Sequence, residues 1–218
     1  MTGEKIILWG RPTSTNVQKI LWLLDELALP YDHKIVGGQH GGLDTDSFGR
    51  MNPNRTVPVL QDGGLTIWES HAILRYLCNK SGALQLYPVE VGERAHVDMW
   101  LDWHITVFWP PIRTVFLDHV RDQKRSWDDP VIVSAVQAIH RNLDFLADAV
   151  GKVGFIARPS FTIADIPLAV GLNRLVSMDL PVALHSHVEN WARTLRAMPS
   201  FDSVVSAEQP IIEQRKMS

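Results

Sequence analysis

The sequence predicts an α/β unit of order βαβ then ββα over residues 1–83, followed by an all-α helical unit over residues 90–218. Three observations carry this. Short β-forming runs alternate with an amphipathic helix at the start. A hairpin follows, in which the apolar runs 57–60 and 65–67 flank Gln61-Asp62-Gly63-Gly64. Beyond the turn-rich break from Ser81-Gly82-Ala83 to Tyr87-Pro88 the pattern turns helical, and such a switch at one linker argues for two domains.

Taken in order, residues 5–9 (Lys-Ile-Ile-Leu-Trp) form a strand stopped by Gly10-Arg11-Pro12. The capping cluster Thr13-Ser14-Thr15-Asn16 leads into Val17, Ile20, Leu21, Leu24, Leu27 and Ala28, a helix that starts near Asn16 and is closed by Leu29-Pro30. Residues 31–36 give a second strand, and strand, helix, strand in this compass implies a right-handed crossover between parallel neighbours. The glycine-rich stretch 37–42 holds Gln39 and His40 but lacks the Lys-Ser/Thr of a phosphate loop and the glycine spacing of a dinucleotide site, so it reads as a mobile loop. A short irregular helix is expected within 43–51. In the hairpin, Pro58 cannot donate to a ladder, which places it at the start or edge of its strand and leaves the backbone there able to accept a peptide-like ligand. Glu69-Ser70 then opens a helix to about residue 80, whose free N–H groups and serine hydroxyl suit a carboxylate. A strand-ending proline and a plain helix cap account for the same residues without any ligand.

Four helices are expected in the second unit, at 91–120, 131–150, 163–178 and 184–198. Thr162-Ile163-Ala164-Asp165 has capping-box spacing, and Pro167 predicts a bend or a wide first turn.

Composition narrows the function. A net charge of -3, with 21 Lys and Arg against 24 Asp and Glu, offers no basic footprint for nucleic acid. No apolar run approaches a membrane span, and the N-terminus lacks a signal-peptide pattern. With Cys78 as the one cysteine no internal disulfide is possible, which fits a reducing, cytoplasmic location. His185 and His187 have no partner at metal-ligand spacing, so no metal site is expected.

Together, the motifs Ser14-Thr15-Asn16-Val17, Val57-Pro58, Glu69-Ser70 and Thr162-Ile163-Ala164-Asp165, in this order over nearly the whole chain, resemble those of the soluble glutathione transferases, in a serine-type, theta- or phi-like form. The resemblance implies a thioredoxin-like first domain and a cis bond before Pro58. It also implies that Val57 pairs with the cysteinyl backbone of glutathione, while Glu69 and Ser70 hold the γ-glutamyl end. Ser14 is then the expected activating residue: a free thiol with pKa about 8.5 is mostly protonated at neutral pH, and a hydroxyl at a helix start stabilises the thiolate. Thr13 and Asn16 are chemically similar donors in the same cluster. The cluster contains no cysteine, which argues against disulfide chemistry, and Cys78 on the apolar face of its helix is expected to be buried and inert.

Gln39 and His40 lie in the loop that would pass the glycyl end of glutathione. Trp100, Asp102, Trp103, Phe108, Trp109 and Arg113 crowd one helix. Aromatics so spaced serve a core or a subunit contact as readily as a substrate wall; Thr13, Phe108, Trp109 and Arg113 are the acceptor-pocket candidates. The family is dimeric, so Asp102 is either a structural ion pair or a contact to a partner subunit's glutathione. The expected function is conjugation of glutathione, as co-substrate and with no cofactor, to small hydrophobic electrophiles. The alternatives are a non-catalytic binding or assembly module on the same fold, or a glutathione-dependent isomerase or dehalogenase.

Overall fold

The structure, a computed structural model, describes residues 5–178, 180 and 182–206. The first unit runs β1 (Ile6–Trp9), α1 (Thr15–Glu26), β2 (Tyr31–Lys34), a 3-10 turn (Gly38–His40), α2 (Asp46–Met51), β3 (Val59–Asp62), β4 (Leu65–Trp68) and α3 (Ser70–Ser81). The sheet order is β2-β1-β3-β4. β1 and β2 are parallel, as the crossover requires, and β3 is antiparallel to both β1 and β4. Asp62 pairs with Leu65 across a two-residue turn. Gly63 there has φ 58, the conformation that a tight hairpin asks of glycine at its first central position. Pro58 sits immediately before β3, an inner strand, so it occupies a strand start and not a sheet edge.

The helical unit comprises α4 (Val91–Trp103), α5 (Trp109–Thr114), α6 (Pro130–Val153), α7 (Asp165–Val176), α8 (Ser186–Arg196) and the short α9 (Pro199–Phe201). The helix expected over 91–120 is interrupted by π turns at His104–Phe108 and Val115–Arg121. Pro110 and Pro111 are a cause for the first: neither has an N–H to return to a carbonyl one turn back. The Val107 carbonyl, which Pro111 would have served, instead accepts from Asn142 Nδ2 of α6 at 2.9 Å. Pro167 falls in the first turn of α7, where a missing N–H breaks no ladder bond, and α7 runs on as one helix.

The two units share one hydrophobic core. Residues 17–24 of α1 are all buried, because α3 covers one side and α7 and α9 lie across the other. The linker is part of this packing: Leu86 and Tyr87 are buried, and the Leu86 carbonyl accepts from Ile163 N at 3.1 Å. The Tyr87 hydroxyl donates to Asp98, which also pairs with Arg75 Nε at 2.6 Å. The capping box forms as expected, Thr162 N donating to Asp165 Oδ2 at 2.9 Å and Ala164 N to Thr162 Oγ1 at 3.3 Å. Cys78 is buried and its thiol is pushed up to about 12 by burial, so it is inert. His185 is exposed and pairs with Asp144 at 2.8 Å. Among the described residues no helix is long and apolar enough to cross a membrane, and no group of three or more metal-ligating side chains gathers.

Candidate active site

One row of the sheet collects the site. Lys34 pairs with Trp9, Trp9 with Val59, and Val59 with Trp68, so the row crosses all four strands at about 4.8 Å per step. Every segment singled out in the first unit hangs from it. Gly10 to Asn16 leave β1, the loop with Gln39 and His40 leaves β2, Val57-Pro58 enters β3, and Glu69-Ser70 leaves β4. Residues 56 positions apart thus meet because register brings their strand ends together.

At the centre, Gly10 has φ 153, and a Cβ there would fall 2.4 Å from Val17 Cγ2 and 3.2 Å from Val57 Cβ. Only glycine lets the chain leaving β1 tuck between the start of α1 and the Val57 loop. Ser14 is the N-cap of α1, so the helix starts at Thr15, one residue earlier than expected. Its backbone carbonyl accepts from Val17 N and Gln18 N, both at 2.9 Å, while its side chain makes no capping bond. The hydroxyl is thus left uncommitted at the positive end of the helix, beside the first N–H groups of α1.

The Val57-Pro58 bond is cis. Pairing of β3 begins at Val59, so the sheet leaves Val57's amide and carbonyl unused. Glu69 caps α3 with φ 74 and ψ 115, a conformation costing a non-glycine residue about 1–3 kcal/mol and found disproportionately at functional sites. Ser70, the buried first residue of α3, has a hydroxyl bonded to no other described residue. Gln39 and His40 are exposed on the 3-10 turn. That turn is held from below by Arg11, whose side chain would lie 3.0 Å from a Cβ on Gly38.

On the helical side the placements differ from expectation. Phe108 is 1% exposed and packs against Trp103 and His104 within the core. Trp109 is half-buried and stacked on His104, and Arg113 is exposed. Thr13 is exposed, and its carbonyl accepts from Arg174 Nη2 of α7 at 3.2 Å; that guanidinium lies 4.7 Å over the Phe116 ring. Asp102 is exposed and accepts from Arg75 Nη2 of the same chain at 3.3 Å.

Residues 13–80 match the family model described as glutathione S-transferase, N-terminal domain. Over 203 residues the chain is 32% identical to glutathione S-transferase GstB of Escherichia coli strain K12, covering 92% of this chain and 97% of that protein. This chain belongs to the glutathione S-transferase family. A theta-class glutathione S-transferase from Xanthomonas axonopodis pv. citri, solved with glutathione bound, superposes with a TM-score of 0.85 at 34% identity and covers 94% of this chain and 99% of its own. A probable glutathione S-transferase of Oryza sativa subsp. japonica, GSTF2, is 27% identical over 93% of this chain and 97% of its own.

This glutathione S-transferase also holds polar residues near the site that sequence reasoning missed. Lys19 of α1 is 2% exposed; its Nζ donates to Asn16 Oδ1 at 2.8 Å. Burial lowers Lys19 to about 7, partly opposed by the Glu69 carboxylate. His71 of α3 and His104 of the first π turn are buried with ring centroids 5.1 Å apart. Burial first, and then the charge of Lys19, hold both imidazoles well below the usual histidine range. A charged residue amid buried helix positions, and histidines on apolar faces, were the available signals.

Proposed function

We propose that this transferase binds glutathione along the end of the sheet row, stabilises its thiolate with the Ser14 hydroxyl and the N-terminus of α1, and adds the sulfur to a small hydrophobic electrophile. The observation that carries the reading is the uncommitted Ser14 hydroxyl, held at the same sheet end as the cis Val57-Pro58 backbone and the Glu69-Ser70 helix start. Val57 pairs through its free amide and carbonyl with the cysteinyl backbone. Ser70 and the first N–H groups of α3 take the γ-glutamyl carboxylate, and Glu69 takes the ammonium. Gln39 and His40 flank the glycyl end, and Asn16 adds a donor beside Ser14. In the reaction the thiol proton leaves to solvent and the sulfur lone pair forms the C–S bond; in a substitution the leaving group departs with its bonding pair, and in an addition the π pair moves to the neighbouring atom, which takes up a proton from solvent. The glutathione bound in the Xanthomonas neighbour supports the co-substrate assignment.

Residues 1–83 hold glutathione in this reading, and residues 90–218 supply the acceptor pocket from Trp109 and Arg113 beside Thr13. The edge strand β4 exposes Leu65 and Trp68, and α4 exposes Met99, apolar side chains that a homodimer would cover. Across that interface Asp102, held by Arg75, reaches toward a partner subunit's glutathione. A cytoplasmic setting fits the thiol chemistry.

The test is calorimetric titration with glutathione combined with turnover of an activated chloronitroarene. Binding with turnover is expected. Binding without turnover moves the protein to the non-catalytic module reading, and no binding overturns the assignment.

A further inference from the structure

The side chains of Lys19, His71 and His104 meet where α1, α3 and the first π turn converge, and the thiol-activating role assigned to α1 above does not use them. Lysine is almost never fully buried without a charged partner, yet Lys19 is 2% exposed. The groups that face it are Glu69 at the cap of α3, His71 on α3 and His104 on the π turn, with Arg75 acting on His71 from behind. The His71 ring faces the backbone of Leu101 and the His104 ring that of Pro167, and no side chain is hydrogen-bonded to any of their four ring nitrogens. His104 is fixed in place by Trp109, stacked at 13°, and by Gly171, where a Cβ would lie 3.6 Å from His104 Nε2 and 3.0 Å from Phe108. The polar group Lys19 does reach is Asn16, in the first turn of α1 and two residues from Ser14.

An amide has one accepting and one donating branch, and Lys19, donating to it, takes the accepting one. Whichever branch Lys19 takes decides which one the half-buried Asn16 shows to the opening. We propose that Lys19, walled in by Glu69, His71 and His104, is a positioning residue: by taking Asn16 Oδ1 it turns the Asn16 Nδ2 donors outward, beside the Ser14 hydroxyl, so that two side chains rather than one stabilise the thiolate. Glu69 ties this to co-substrate binding, since the same carboxylate favours the charged form of Lys19 and is assigned to the γ-glutamyl ammonium. The inference rests on the thiolate site proposed above.

The test is the ultraviolet titration of the thiolate of bound glutathione in four proteins: wild type, Asn16→Asp, Lys19→Met and the double variant. Asn16→Asp keeps an oxygen for Lys19 and removes the outward donor. The expected result is an unchanged melting temperature, a bound thiol pKa raised by about one unit, which is a tenfold smaller thiolate fraction near neutrality, and kcat restored at alkaline pH with KM for glutathione within about twofold. Lys19→Met is expected to raise the bound pKa as well, and the double variant to add nothing to Asn16→Asp. If Lys19→Met fails to fold, Asn16→Asp alone decides, and an unshifted pKa there overturns the inference. A shift in Asn16→Asp with none in a folded Lys19→Met also overturns it. A wild-type protein whose bound glutathione titrates at its free value overturns the thiolate site itself, a result separate from either of these.

Discussion

Two helix starts in this transferase carry a side-chain hydroxyl and use it in opposite ways. At α7 the hydroxyl of Thr162 and the carboxylate of Asp165 are both engaged within the protein. Asp165 is fully buried and accepts from Ile156 N at 3.0 Å, Thr162 N at 2.9 Å, Thr162 Oγ1 at 3.2 Å and Trp191 Nε1 at 2.9 Å, tying α7 to α8 and to the preceding loop. At α1 the Ser14 hydroxyl caps nothing. A helix start whose polar groups are satisfied internally builds the fold, and one whose hydroxyl is kept back offers a site for an anion.

The contrast breaks most sharply at α7. Asp165→Ala strands several buried donors and is expected to cost roughly 3–5 kcal/mol, read as a lower midpoint in urea unfolding, with the turnover of the remaining folded protein little changed. At α1 the effect falls on chemistry. Ser14→Ala is expected to lower kcat by about 10–100-fold near neutral pH, with stability within about 0.5 kcal/mol of wild type, because no cap bond is lost. Ser70→Ala, at the third helix start, is expected to weaken glutathione binding about tenfold by calorimetry. Glu69→Gly separates strain from function: relief of the positive φ is expected to leave stability equal or up to about 1 kcal/mol higher, while glutathione affinity falls.

A separate effect falls on the pH dependence of stability. Lys19 titrates at about 7 in the folded chain, against about 10.4 for an unfolded lysine, so between these values the unfolded chain holds a proton that the folded chain lacks. Stability should therefore rise with pH from about 7 to about 10. Lys19→Met should flatten that rise in a series of thermal melts, and an unchanged slope would assign it to other groups.

The sheet end was legible in the sequence because each segment there is short and punctuated. Pro58 cannot enter a ladder, Gly63-Gly64 sets the hairpin, and Glu69-Ser70 begins a helix directly after a strand, so order and turn chemistry fix which ends meet. The helical side was less legible because it depends on packing across the units. Lys19 lies between the apolar positions Val17, Ile20 and Leu24, and a periodicity argument assigns it to a solvated face; Glu69 and His71 at the start of α3 and His104 of the first π turn, distant in sequence, face it instead. Phe108 lies in the core against Trp103, His104 and Gly171 of α7. The π turns had a visible cause in Pro110-Pro111, but the compensating Asn142 sits 35 residues from the Val107 carbonyl it serves.

The most direct measurement is the ultraviolet titration of the thiolate band of glutathione bound to the wild-type enzyme and to Ser14→Ala. The contrast between the two helix starts predicts a wild-type bound pKa well below the free value of about 8.5, and a rise of about 1–2 units in Ser14→Ala with no change in unfolding midpoint. A bound pKa unaltered by the substitution would contradict it and move thiolate stabilisation to another donor of the cluster.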